Sequence, residues 1–217
     1  MFYARSSVSH LCLLLSAFVL ASICLGQQRT PSATGPGAST TAALEPALRG
    51  RVVGGDYKNE YFGFELRRLD GWESLSRGQM NVSEAIGRGA IGLKGGVQAG
   101  DRVFGMHDGQ GASVFVAIRP VPANSSSDVA NRKELIQQAL KSQLPDPKFS
   151  REVISLGNPS HDFVAFRVAY TLEGRNIVQS SQSVLLKDHL LDLVITANSH
   201  EQLSAVLKNV QSSLIWK

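Results

Sequence analysis

The 217-residue chain contains two cysteines, and both fall within its first 24 residues, at Cys12 and Cys24. Everything after Cys24 is therefore without disulfides, thiol nucleophiles or thiolate metal ligands. Such a fold has to rest on buried apolar surface. Charged residues are only 18% of the chain, and no run of Lys or Arg forms a phosphate-binding stripe, which speaks against a nucleic-acid partner. There is no G-x-S-x-G nucleophile elbow and no H-E-x-x-H zinc motif. The one extended apolar run, Leu11 to Leu25, is shorter than the roughly 20 residues a spanning helix needs.

That run follows a lead whose only charge is Arg5. A short cationic lead, an apolar core and small residues at its end make a secretory leader. Cys24 and Gly26 suit a cut before Gln27, giving a leader over residues 1–26. Lipidation at Cys24 is the lesser alternative, because Ile23 stands where Gly, Ala or Ser normally precedes the modified cysteine. The expected location is periplasmic or extracellular, with no membrane insertion once the leader is gone. Loss of Arg5 brings the formal net charge of +4 close to balance. Residues 27–50, QQRTPSATGPGASTTAALEPALRG, show no apolar periodicity and read as a flexible tether. Residues 51–217 then have the length of one domain.

Within that domain Phe62, Phe64 and Leu66 alternate with Gly63, Glu65 and Arg67, the period of a half-buried strand. Asp70-Gly71 makes a turn before Trp72. A short helix is expected over Val82–Ile86. Strands are expected at Arg102–Met106 and Ala112–Arg119, joined by a turn at Asp108–Gly111. Ser125–Asp128 offers caps for a helix that Pro145 stops. Strands at 151–156, 164–172, 177–186 and 189–197 follow, the last three forming an antiparallel meander with turns at Glu173-Gly174 and Lys187-Asp188. Gln179, Ser180, Ser181 and Gln182 break the apolar pattern and are read as facing solvent or a groove. Ser199 and Gln202 have capping-box spacing. They open a last helix with Leu203, Val206, Leu207, Val210 and Leu214 on one face. The expected fold class is α+β: an antiparallel sheet with a C-terminal meander, covered by amphipathic helices.

The order of a YKNEYFGFELRRLDGW segment (57–72), a glycine-turn hairpin, a mid-chain helix ended by proline, a long meander and a final helix running to LIWK resembles the PsbP-like superfamily. This superfamily includes PsbP, an extrinsic subunit of the photosystem II oxygen-evolving complex, and periplasmic DcrB-like proteins. Members often carry a proline in the turn before the tryptophan; Leu69-Asp70-Gly71-Trp72 lacks it. The resemblance implies an antiparallel sheet between helices and a non-enzymatic accessory or docking role. It carries no catalytic residue across.

GRGAIG (Gly87–Gly92) matches G-x-G-x-x-G but lacks the strand before and the helix after that a dinucleotide site requires, so no cofactor is expected. Histidine adjoins aspartate at His107-Asp108, His161-Asp162 and Asp188-His189. Imidazole with carboxylate suits a metal such as zinc, and His107, His161 and His189 are the candidate ligands should they converge. Neighbours on a strand point to opposite faces, so one pair cannot chelate alone. Asn81 and Asn124 begin glycosylation sequons. Tyr57 and Tyr61, with Gln179 and Gln182, are the candidate partner contacts. The expected function is an exported, non-catalytic module that binds another exported or envelope protein. The alternatives are a small exported hydrolase or metal-dependent enzyme, and a carrier holding a small ligand in a sheet–helix cleft.

Overall fold

The computed structural model describes residues 46–81, 101–121, 134, 137–138, 140–141, 144, 146–172 and 174–217. The leader, the tether up to residue 45, the Val82–Ile86 helix, the GRGAIG loop, the Ser125–Asp128 cap and Asn124 lie outside the described residues.

The chain opens with α1 (Pro46–Arg49), then β1 (Arg51–Val53), β2 (Asp56–Asn59), β3 (Phe64–Leu66) and β4 (Glu73–Ser74). After these come β5 (Asp101–His107), β6 (Ser113–Pro120), β7 (Lys148–Leu156), β8 (His161–Leu172), β9 (Arg175–Leu186) and β10 (His189–Ala197). Helix α2 (His200–Ser213) and strand β11 (Leu214–Trp216) end the fold. The strands form two sheets. The large one runs β4-β5-β6-β10-β9-β8-β7 and the small one β1-β2-β3-β11. Every ladder is antiparallel.

Side chains alternate across a strand, so the large sheet has two faces. The inner face presents Val114, Val116 and Ile118 from β6, Leu191, Leu193 and Ile195 from β10, and Phe163 from β8. Against it lie Tyr57, Phe64 and Leu66 of the small sheet and Leu203, Val206 and Val210 of α2. Aromatic contacts bridge the layers: Tyr57 stacks on Phe104 with ring centroids 5.3 Å apart, and Phe64 and Phe163 both meet Trp216. The outer face carries two smaller clusters. One joins Phe166, Val168, Tyr170 and Ile177 to Leu140 and Leu144; the other joins Phe115 and Val194 to Met80.

The expected meander and the β5–β6 hairpin are present. Lys187 and Asp188 turn the chain between β9 and β10 with positive φ, the geometry of a tight hairpin. Ser199 caps α2, its hydroxyl accepting from the Gln202 amide. The Gln202 side chain reaches past the cap to accept from the Asn198 amide.

Four expectations are corrected. The cover of the inner face, expected from a pair of amphipathic helices, is shared between α2 and a second sheet, because β2, β3 and β11 bring large aromatics to it. Leu214, Ile215 and Trp216 leave the helix and pair with β3, the extended form that branched and aromatic side chains favour. Phe62 is buried but sits in the turn before β3. Finally, Leu48 packs on the core and Arg49 pairs with Asp101 at 2.7 Å, so the packed structure begins before residue 51. Further along, residues 77–81 are helical, opened by a reciprocal Ser76–Gln79 cap.

Candidate functional site

The polar residues in the middle of β9 find partners inside the sheet, Gln179 and Ser183 on the neighbouring β10 and Gln182 on β9 itself. Gln179, Ser180, Ser181, Gln182 and Ser183 are all buried, which corrects the expectation of a solvent-facing stretch. On the outer face Arg119 Nη2 donates to Asp192 Oδ2 at 2.5 Å. The Ser183 hydroxyl donates to Asp192 Oδ1, and Gln179 Nε2 donates to Thr196 Oγ1 at 2.9 Å. Arg102 lays its guanidinium over Phe115, 4.6 Å from the ring centre. On the inner face Gln182 Nε2 donates to Ser180 Oγ at 2.6 Å. Gln179 and Gln182 thus serve the interior and present no surface to a partner.

Chemically, this lane is a neutralised ion pair with a hydroxyl attached. The Ser183 hydroxyl faces a carboxylate already paired with Arg119, and no histidine adjoins it among the described residues to accept its proton. The sequence does carry a signal for the lane that the periodicity reading passed over: Asp192 is a lone acid inside the apolar strand HLLDLVITA, and a charge in such a place needs a buried partner.

The histidines do not assemble. His107 pairs with Ser113 at one end of β6, while His189 pairs with Pro120 at the other. The seven intervening steps of strand set them about 23 Å apart. His161 packs against Trp216 with ring centroids 4.2 Å apart and planes tilted by 37°, and His189 meets Phe62 edge-on. His107 lies 3.9 Å from Glu73 and accepts from the Gly109 amide. No group of three metal-ligating side chains occurs among the described residues. The proposed triad of His107, His161 and His189 is therefore corrected: the sheet separates its members.

Tyr57, expected at the surface, is fully buried. Its hydroxyl donates to the Arg49 carbonyl at 2.8 Å and accepts from Asn59 Nδ2 at 2.9 Å. Burial drives its pKa well above the ordinary tyrosine value, with Asp101 nearby adding to the rise and the Asn59 hydrogen bond opposing it. Tyr61 does lie at the surface, with Lys187 Nζ over its ring at 4.7 Å and bonded to its carbonyl. It packs against Phe62 and His189.

A groove of about 500 Å³ opens where β8, β9 and the first turn of α2 meet. Asp146, Lys148, Thr171, Asn176, Ser199 and Glu201 contribute to its lining. Ala169, Tyr170, Ile177 and Val178 line it as well, so it is an open furrow of mixed character rather than the enclosed cleft a carrier needs. The Glu201 carboxyl at its rim has a lowered pKa, held down by its own backbone amide and the Ser199 hydroxyl.

The remaining feature is an edge. At one margin of the large sheet β4 is two residues long. In the small sheet β1 and β11 are three residues each, and Asn158 bridges to Ile215 beside β11. At the other margin β7 runs for nine residues. It pairs with β8 from Lys148 to Leu156, and no described strand lies on its other side. Most of its side chains are exposed, and Val153, at 68%, is the most exposed large apolar residue among those described. Unpaired main-chain groups along such a strand are a template for another strand.

No helix among the described residues is long and apolar enough to cross a membrane. No family model matches the chain, and no curated protein matches it. Among solved structures it is similar to cyanobacterial PsbP (CyanoP) from Synechocystis, at 11% identity, covering 75% of this chain and 91% of that one with a TM-score of 0.44. It is also similar to LpqN, involved in cell envelope biogenesis of Mycobacterium tuberculosis, at 14% identity, covering 70% and 82% with a TM-score of 0.42.

Proposed function

We propose that this chain is an exported accessory module, without catalysis of its own, that docks another protein of the same compartment by strand addition at β7. The observation that carries the reading is the length of that edge: nine residues with one side unpaired among the described strands. In strand addition the main chain supplies affinity and alternate side chains supply selectivity. On β7 the outer-face set includes Phe149, Arg151, Val153 and Ser155, and the other set includes Ser150, Glu152 and Ile154. The lane around Asp192 is internally paired and the histidines are spread, so the alternatives of hydrolase and metal enzyme gain nothing from the geometry.

The test is site-specific photo-cross-linking in exporting cells, with the cross-linker replacing Val153 and, as control, Lys208 on the exposed side of α2. Adducts with an exported protein at Val153 and none at Lys208 are expected. Equal labelling at the two positions, or no adduct at Val153, overturns docking at β7.

A further inference from the structure

We infer that the strand added to β7 is, in the isolated protein, the β7 of a second copy, paired about a two-fold axis through Val153. The inference rests on the reading of β7 as a docking edge and names its occupant. A two-fold axis normal to an antiparallel pair passes through the midpoint of two directly opposed residues, because the rotation keeps each side chain on its own face. One residue of β7 therefore faces its own copy. Three residues can take that place with seven or more positions of the strand in register: Arg151, Glu152 and Val153.

Charge decides among them, since like charges directly opposite destabilise a ladder. Centring on Arg151 sets two guanidiniums against each other. Centring on Glu152 does the same with two carboxylates, each already tied to Arg167 at 2.5 Å. Centring on Val153 pairs residues 150–156 of one copy with 156–150 of the other. Arg151 then faces Ser155, Glu152 faces Ile154, and no like charges are opposed. The same register covers the most exposed large apolar side chain described with its own twin. Arg151 keeps its approach to Glu134, 4.0 Å away. The result is a sheet continuous across two molecules. A single shared ladder buries little area, at the low end for specific interfaces, so dissociation in the micromolar range is expected.

The absence of cysteine after Cys24 makes the register directly readable. In the full chain carrying Cys12→Ser and Cys24→Ser, single cysteines replace Arg151, Glu152, Val153 or Lys208, and mild oxidation follows. Directly opposed residues lie within disulfide reach, so Val153→Cys is expected to give covalent dimer most readily of the four. Sedimentation of the unmodified chain should show a monomer–dimer equilibrium that Val153→Lys weakens by about tenfold or more. Unfolding curves of Val153→Lys should match the parent, since the site is exposed. A monomer throughout the concentration range without cross-linking overturns the inference. So does a dimer indifferent to Val153→Lys, or a cross-linking maximum at Arg151, Glu152 or Lys208. If the purified chain is monomeric while adducts at Val153 still form in cells, self-pairing falls and docking stands; if both are absent, both fall.

Discussion

Asp192 and Leu193 are neighbours on one strand and belong to two different interiors. Leu193 points to the inner face, where two sheets and a helix close over apolar and aromatic side chains. Asp192 points to the outer face, where the middle of the sheet is polar and its apolar clusters stand to either side. Each interior is held by a different kind of contact. The inner one sums many weak dispersion contacts and the removal of area from water. The outer one concentrates its stability in a few directed bonds, each costly to leave half-made.

Removing the charge tests this most severely. Asp192→Ala leaves Arg119 buried without its carboxylate and should cost about 3–5 kcal/mol in urea unfolding. The double change Arg119→Met with Asp192→Leu should recover much of that loss. If the double variant is no better than the single one, the outer face depends on more than the pair. Leu193→Ala should cost about 2–4 kcal/mol, and no substitution of its polar neighbours should restore it, because a cavity has no partner to remove.

Two tyrosines sharpen the contrast further. Tyr57 in the inner core has both donor and acceptor roles filled, whereas the buried Tyr170 hydroxyl on the outer face has no hydrogen-bond partner among the described residues. Tyr57→Phe should lose about 1 kcal/mol, and Tyr170→Phe should be close to neutral or slightly stabilising. Burial raises both pKa values. The neutral phenol is thus favoured in the folded state, and the associated stability is fully present below the unfolded value of about 10. As pH climbs past that value, the unfolded chain loses protons that the folded chain retains, so stability falls. Chemical unfolding at a series of alkaline pH values should show a shallower decline in a Tyr57→Phe/Tyr170→Phe variant.

The regions legible in the sequence are those where one strand has one buried face and a short turn. The meander and the β5–β6 hairpin were of that kind, and so was α2 with its Ser199 cap. The small sheet was harder to see, because β1, β2 and β11 are three or four residues long, too short for a period to repeat. The Gly54-Gly55 turn between β1 and β2 was the available clue. The β9 strand was misread for a different reason. Polarity along GRNIVQSSQSVLL marks exposure only when nothing polar waits on the neighbouring strands, and Thr196, Asp192 and Arg119 were waiting there. The partner-contact reading of Tyr57 failed because its aromatic ring and its hydroxyl are both satisfied indoors. The open edge of β7 could not be read in advance, since an edge is defined by which strands fail to arrive.

Strand β11 has a consequence for the order of events. It fills the place beside β3, so residues 64–66 near the start of the fold wait for residues 214–216 at its far end. The Trp216 ring then lies against Phe64, His161 and Phe163 together. A chain made from the amino end onward can form its meander early, but its small sheet lacks a strand and its core lacks a wall until those residues emerge. Contacts of such long sequence separation are slow to close. The fold is therefore built as a clasp whose tongue lies beyond the meander and α2 in the chain, and its core closes only after that strand has emerged.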